Sequence, residues 1–114
     1  MLTLEDIKNY LNITWADDET DNKVKAAALR AQSTVGGLIG RPKAKFYGDE
    51  KETQSVSENG GEEEQLFLDA CRYIYNEAYE DFRKNFADAI TSLRAYNAVA
   101  KAGEDTDVKE SSNI

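Results

Sequence analysis

Glu62-Glu-Glu-Gln-Leu-Phe-Leu-Asp-Ala-Cys-Arg-Tyr-Ile-Tyr-Asn-Glu-Ala-Tyr-Glu-Asp-Phe82 is the stretch whose reading decides the fold. Phe67, Cys71, Ile74, Ala78 and Phe82 recur in it at spacings of four, three, four and four, with Leu66, Ala70 and Tyr75 alongside. Side chains three and four apart share one face of a helix, so the stretch predicts a strongly amphipathic helix whose apolar face needs partners. The three leading glutamates suit the positive end of its dipole.

Towards the C-terminus a second series, Phe86, Ala89 or Ile90, Leu93 and Val99, continues at helical spacing. Asn85 with Asp88 three residues on has the pattern of a cap, and a single helix over 62–101 would be unusually long for a small domain. Two helices meeting near Lys84-Asn85 are therefore expected. Gly103 ends the pattern, and residues 102–114, polar and acidic, are expected to form a flexible tail in the free chain.

Towards the N-terminus, Lys43 to Gly61 has no helical period and reads as a long loop. Lys45-Phe46-Tyr47 and Thr53 to Val56 are the expected arms of a small β-hairpin within it. Before the loop, Val24, Ala28, Ala31, Val35 and Leu38 form a narrow, alanine-rich stripe widened by Ala27 and Ile39. Gly36 and Gly37 should each weaken that helix by about 1 kcal/mol relative to alanine. Gly40 followed by Arg41-Pro42 is the stronger stop, which places the end at Ile39. Asp17, Asp18, Glu19 and Asp21 supply caps and favourable charge at its start. Thr3 with Asp6 resembles a capping box, Leu2 can staple onto Ile7, and helix 1 is expected from Leu4 to Leu11. The sum is an all-α fold: a single domain over residues 1–101, built as a small bundle of three or four helices with a long loop between the second and third.

The 114 residues carry a net charge of −8, with 40% hydrophobic and 32% charged residues, one cysteine, one proline and no histidine. No apolar run approaches the ~20 residues needed to cross a bilayer, so no membrane partner is expected. The start, Met1-Leu-Thr-Leu-Glu-Asp6, lacks the basic and apolar regions of a secretory signal, so the chain is expected in the cytoplasm of the cell that makes it. A lone Cys71 has no internal disulfide partner and reads as a small buried hydrophobe. Without histidine the commonest metal ligand and neutral-pH proton carrier is missing. No segment is basic, which disfavours a grip on nucleic acid, since affinity for phosphates comes largely from Lys and Arg.

The acidic cluster Asp17 to Asp21 lacks the glycine and terminal glutamate of a calcium loop and reads as helix capping. Glu77, Glu80, Asp81 and Asp88 read as a solvated face. Gly36-Gly37-Leu38-Ile39-Gly40 ends a helix where a phosphate loop would begin one. No catalytic residue, cofactor site or metal site is expected, and the chain is read as a contact protein, not an enzyme. Tyr75, Phe82 and Phe86 lie near the apolar stripe and are assigned to the core. Tyr73, Tyr79 and Tyr96 stand off it, and with Arg72 and Arg94 they are the candidate partner contacts, because tyrosine and arginine are enriched at interfaces. Trp15, in the connection between helices 1 and 2, either covers that junction or presents an anchor.

Leu4-Glu-Asp-Ile-Lys-Asn-Tyr-Leu11, the acidic connection, the alanine-rich helix ending Leu38-Ile-Gly-Arg-Pro42, the variable loop, Arg72-Tyr-Ile-Tyr-Asn76, Asn85-Phe86 and Ile90-Thr-Ser-Leu-Arg94 together resemble the head-tail connector (adaptor) proteins of tailed bacteriophages. The resemblance covers roughly residues 1–100. It implies a structural subunit of the virion, made in the bacterial host cytoplasm, that assembles as a ring, commonly of twelve copies, beneath the portal protein. Such a ring extends the channel through which DNA passes without specific binding, and offers its far side to a stopper or tail-completion protein. Subunits of this kind can stay monomeric until the portal templates them. In the family the C-terminal segment engages the portal, which assigns that role here to the stretch from Leu93 onward, and the Lys43 to Gly61 loop would lie at an interface or in the channel wall. The long polar loop and acidic tail depart from the pattern. The competing reading is a small bacterial helical regulatory or adaptor module that binds one protein partner.

Overall fold

Helix starts and stops are written in local chemistry. Thr3 Oγ1 accepts from the Asp6 amide at 3.3 Å while Asp6 Oδ2 accepts from the Thr3 amide at 2.9 Å, closing the expected capping box. Asp17 Oδ2 accepts from the Thr20 amide at 3.3 Å and caps the second helix. In the computed structural model, whose described residues are 2–48 and 60–113, with side chains described as far as Lys101, the order is α1 Leu4–Tyr10, α2 Asp18–Leu38, α3 Gly60–Tyr75, α4 Tyr79–Asn85 and α5 Ala87–Asn113. The all-α expectation holds, with five helices among the described residues and no strand.

Three of these helices end the same way, in a left-handed residue that folds the chain back so that two amides reach the last free carbonyls. At the end of α1 the residue is Asn12 (φ 62°), with the Ile13 amide donating to Lys8 O at 2.9 Å. At the end of α2 it is Gly40 (φ 80°), with the Arg41 amide donating to Gly36 O at 2.8 Å. At the end of α3 it is Glu77 (φ 59°), with the Ala78 amide donating to Tyr73 O at 2.7 Å and the Glu77 amide to Ile74 O at 3.0 Å. Here the structure corrects the single helix expected through Phe82: the chain stops at Tyr75, turns, and starts α4 at Tyr79. A glutamate in this conformation costs roughly 1 kcal/mol that glycine would not. Glu77→Gly should therefore raise the unfolding free energy by about 1 kcal/mol in urea titration, and a loss of stability would show that the left-handed turn is not native.

The two glycines before the α2 stop are not equivalent. A Cβ built on Gly36 would lie 2.7 Å from the Arg41 carbonyl oxygen, whereas one on Gly37 meets nothing within 4 Å. Gly37→Ala should stabilise by about 0.5–1 kcal/mol and Gly36→Ala should destabilise, because the returning backbone has no room to give. Equal effects in thermal melts would refute this.

The core runs between α2 and α3. Val24, Ala28, Ala31 and Val35 of α2 are buried against Leu66, Phe67, Ala70 and Cys71 of α3, joined by Ile7 and Ile13 from the N-terminal segment and by Ile39. Alanines on α2 allow the helices to approach closely, and the larger α3 side chains fill the space. Phe46 is buried and stacks on Phe67 with ring centroids 5.3 Å apart. The expected hairpin is corrected at its first arm: Tyr47 forms an isolated parallel bridge with Leu2, and Gln32 Oε1 accepts from the Phe46 and Tyr47 amides at 2.8 and 2.9 Å. A side-chain amide on α2 thus does the work of a second strand. The other arm, Thr53 to Val56, lies outside the described residues.

The break expected near Lys84-Asn85 is present, with Phe86 between α4 and α5. The α5 backbone continues past Gly103 to Asn113, correcting the end expected at that glycine. One glycine costs only about 1 kcal/mol, and no proline follows to forbid the next turn. Among the described residues no helix is long and apolar enough to cross a membrane.

Candidate functional site

The aromatic residues of the C-terminal half gather into one cluster. Phe82 is fully buried, with Phe86 stacked at 5.1 Å, Tyr79 stacked at 6.1 Å and Tyr73 tilted at 6.0 Å between ring centroids. Tyr73 also meets Phe86 edge-on at 5.8 Å, and its hydroxyl accepts from Asn85 Nδ2 at 3.2 Å. Tyr73 and Tyr79 were expected to stand off the apolar stripe; the turn at Glu77 brings Phe82 and Phe86 back onto Tyr73, and Tyr79 packs on Phe82 within α4, so both serve the packing of the helices. Tyr75, assigned to the core, is half-buried beneath the Lys23 ammonium, 4.5 Å from the ring centroid.

Of the other sequence candidates, Trp15 is 52% exposed and its Nε1 donates to Thr20 Oγ1 at 3.3 Å, close to the α2 cap. Arg72 is exposed, its guanidinium 5.6 Å from the centre of the Tyr10 ring. Arg94 and Tyr96 are exposed on α5, while Leu93 is buried. A buried leucine reaches a partner only from the floor of a depression, and that is where Leu93 lies.

The depression is a groove of about 600 Å³ between α3 and the start of α5. Leu66, Phe86, Ala89 and Leu93 give it an apolar lining, and Glu62, Gln65, Asp69 and Ser92 also border it. Asp69 is held in place: its Oδ1 accepts from the Tyr10 hydroxyl, which in turn accepts from Gln65 Nε2 at 3.0 Å. Burial and the neighbouring carboxylate push the Tyr10 hydroxyl pKa above its ordinary value. An apolar cleft with a few fixed polar groups at its edge is the usual form of a binding site, here with negative charge at the edge.

Two buried charges frame the molecule, and neither was legible as such in the sequence. Glu63, in the first turn of α3, is 1% exposed, pairs with Arg41 just beyond α2, and accepts from Asn97 Nδ2 of α5 at 3.2 Å. The same Asn97 amide donates to Ile39 O at 2.8 Å, so one carboxylate ties together the end of α2, the start of α3 and the middle of α5. Within the run of three glutamates, only the helical phase relative to Phe67 marks Glu63 as inward-facing. Lys8 is buried and pairs with Asp21 Oδ1 at 2.9 Å, linking α1 to α2. Hydrogen bonding to Asp21 raises the Lys8 pKa despite the opposing effect of burial.

Both raised groups act in the same direction on stability. Lys8 and Tyr10 hold their protons more tightly folded than unfolded, so the folded state binds more protons and stability falls as pH rises through their folded pKa values. Denaturant midpoints measured from about pH 8 to about pH 11 should fall above about pH 10, and Lys8→Met with Tyr10→Phe should flatten the fall. An equally steep decline in the double variant would locate the alkaline sensitivity elsewhere.

Burial raises the Cys71 thiol to about 12, which makes it a packing residue and a poor nucleophile at neutral pH. Among the described residues no three His, Cys, Asp or Glu side chains converge as a metal site requires. Compared with family models, curated proteins and solved structures, the chain matches none.

Proposed function

We propose that this chain is a structural subunit of the head-tail connector type: it assembles as a ring beneath a phage portal, extends the DNA channel and docks the stopper or tail. The observation that supports the reading is the acid-rimmed apolar groove between α3 and α5, whose shape and lining suit the docking of another protein segment. The resemblance read from the N-terminal helix, the Leu38-Ile-Gly-Arg-Pro42 stop and the Ile90 to Arg94 stretch supplies the context. A net charge of −8 is suited to a wall along which DNA slides, because like charge prevents sticking. The activity is contact, with no reaction and no cofactor.

The test is mass in solution over a concentration series, with and without a portal protein. Rings alone or on the portal are expected. A chain that never joins a portal, yet binds a single different protein one to one, would replace this reading with that of a helical regulatory or adaptor module. Arg94→Glu should lower assembly on the portal and leave helicity unchanged by circular dichroism, since Arg94 is exposed. Unaltered assembly would remove it from the interface.

A further inference from the structure

Leu29 stands in the middle of α2, 58% exposed, on the side turned away from the buried row Val24, Ala28, Ala31 and Val35. A leucine so placed adds little to the stability of a single chain, because its side chain stays largely in water. Its neighbours along α2 are short or basic, with Arg30 also bordering a cleft that holds Glu77, Glu80 and Asp81. Lys25 lies one turn before it and Arg30 next to it, Ala26 and Ser33 are small, and all four are exposed. One turn beyond Ser33 comes exposed Gly37, where a Cβ would meet nothing within 4 Å. The result is an apolar knob flanked by two cations, rising from a surface flat enough for a second helix to approach.

The α3–α5 groove has the opposite character: an apolar floor with the carboxylates of Glu62 and Asp69 at its border. Knob and groove share no residue. Two copies of a chain with net charge −8 repel on average, so attraction between them must come from local patches of opposite sign. The remaining exposed apolar side chains fit the groove less well. Trp15 sits beside Asp17 and Asp18, whose charges have the groove's own sign and repel it, and Tyr96 and Val99 stand on α5, which itself borders the groove.

We propose that the Leu29 knob of one copy seats in the α3–α5 groove of the next, with Lys25 and Arg30 facing Glu62 and Asp69, so that copies of this chain join head to tail. The proposal rests on the ring reading and names the surfaces that would build the ring. Because the two surfaces differ, every added copy still presents one free knob and one free groove, and addition continues until the ring closes. Screening of the charged rim weakens the contact as salt is raised.

The test uses two variants at exposed positions, Leu29→Glu and Ala89→Glu, each expected to keep the native circular dichroism spectrum. In sedimentation at high protein concentration the unaltered chain should form large species and each variant alone should remain monomeric. Mixed one to one, the variants should form a heterodimer and nothing larger, since each retains one intact surface. Either variant assembling like the unaltered chain, or a mixture that stays monomeric, overturns the proposal. If Leu29→Glu alone abolishes assembly while Ala89→Glu leaves it intact, the contact is a symmetric pairing of α2 helices and the groove is not its site. Copies carrying Leu29→Cys and Ala89→Cys, mixed and oxidised, should give an intermolecular disulfide, with Cys71 buried and out of reach; no disulfide and a monomeric unaltered chain at millimolar concentration also overturn it. The two ideas fail separately. Portal rings that form equally well from both glutamate variants keep the ring reading and remove this interface, whereas disulfide-linked chains that never join a portal do the reverse.

Discussion

Phe82→Ala is expected to lower the unfolding free energy by about 4 kcal/mol, which approaches the whole stability of a marginal small domain. Phe82 has no exposed surface and lies at the centre of the Tyr73, Tyr79 and Phe86 rings. Truncation removes its own burial, leaves a cavity and deprives three rings of their contact partner. The cavity cannot close cheaply, because Tyr73 belongs to α3, Tyr79 to α4, and Phe86 to the junction before α5, so filling it means moving whole helices. The midpoint of thermal unfolding should fall on the order of 20 °C. Phe82→Leu keeps most of the volume and should cost under about 1.5 kcal/mol. Hydrogen exchange should place the loosening in α4 and the start of α5, while amides of Ala28 to Val35 stay protected until global unfolding. A loss below 1 kcal/mol would mean that the cluster is not the joint that holds these helices.

That joint was half legible in the sequence. The apolar period through Phe67, Cys71, Ile74 and Phe82 gave the helical state and the buried face of α3, because burial of one stripe is a local consequence of spacing. It gave no sign of the break at Glu77. Gly40, a residue at home in the left-handed region, announced the stop of α2, and Asn12 tolerates the same conformation at the end of α1, but a glutamate carries no such signal. Returning the chain there puts Phe82 and Phe86 against Tyr73, a gain made by residues far apart on one extended helix and visible only in three dimensions. The site was legible to a similar degree. Leu93 was picked out and does lie in the groove, but the groove depends on where α5 crosses α3, which the sequence reading of separate helices did not determine. Tyr79 was read as outward-facing because its phase was measured along a helix that does not continue, whereas Tyr73, inside α3, gains Phe82 and Phe86 as partners only when the chain returns. Leu29 escaped notice because a leucine one residue off an alanine stripe looks like part of its margin.

Arg41→Met is the second large effect, with an expected loss of about 3 kcal/mol. Arg41 is 38% exposed at its side chain, while its partner Glu63 is 1% exposed. The asymmetry decides the outcome. Arginine freed of its partner can turn to water, but Glu63 at the base of α3 cannot, so deleting the cation takes its guanidinium from a buried carboxylate while the Asn97 amide still donates to it. Deleting the anion is milder: Glu63→Gln keeps the shape and much of the hydrogen bonding, and should cost about 1 kcal/mol. The double variant separates the two explanations. If the penalty in Arg41→Met is the loss of the cation beside a buried carboxylate, adding Glu63→Gln should recover most of it, leaving the double variant more stable than Arg41→Met alone by about 1–2 kcal/mol. If the arginine matters through the packing of its methylene stem, the two losses simply add in the denaturation cycle. The consequence for function follows from what Glu63 connects. Asn97 links it to α5, and α5 carries Leu93 at the floor of the groove, so Arg41→Met should weaken self-association more than its distance from the groove implies. Glu63→Gln in the same background should restore association together with stability, because both depend on keeping α5 against the ends of α2 and α3.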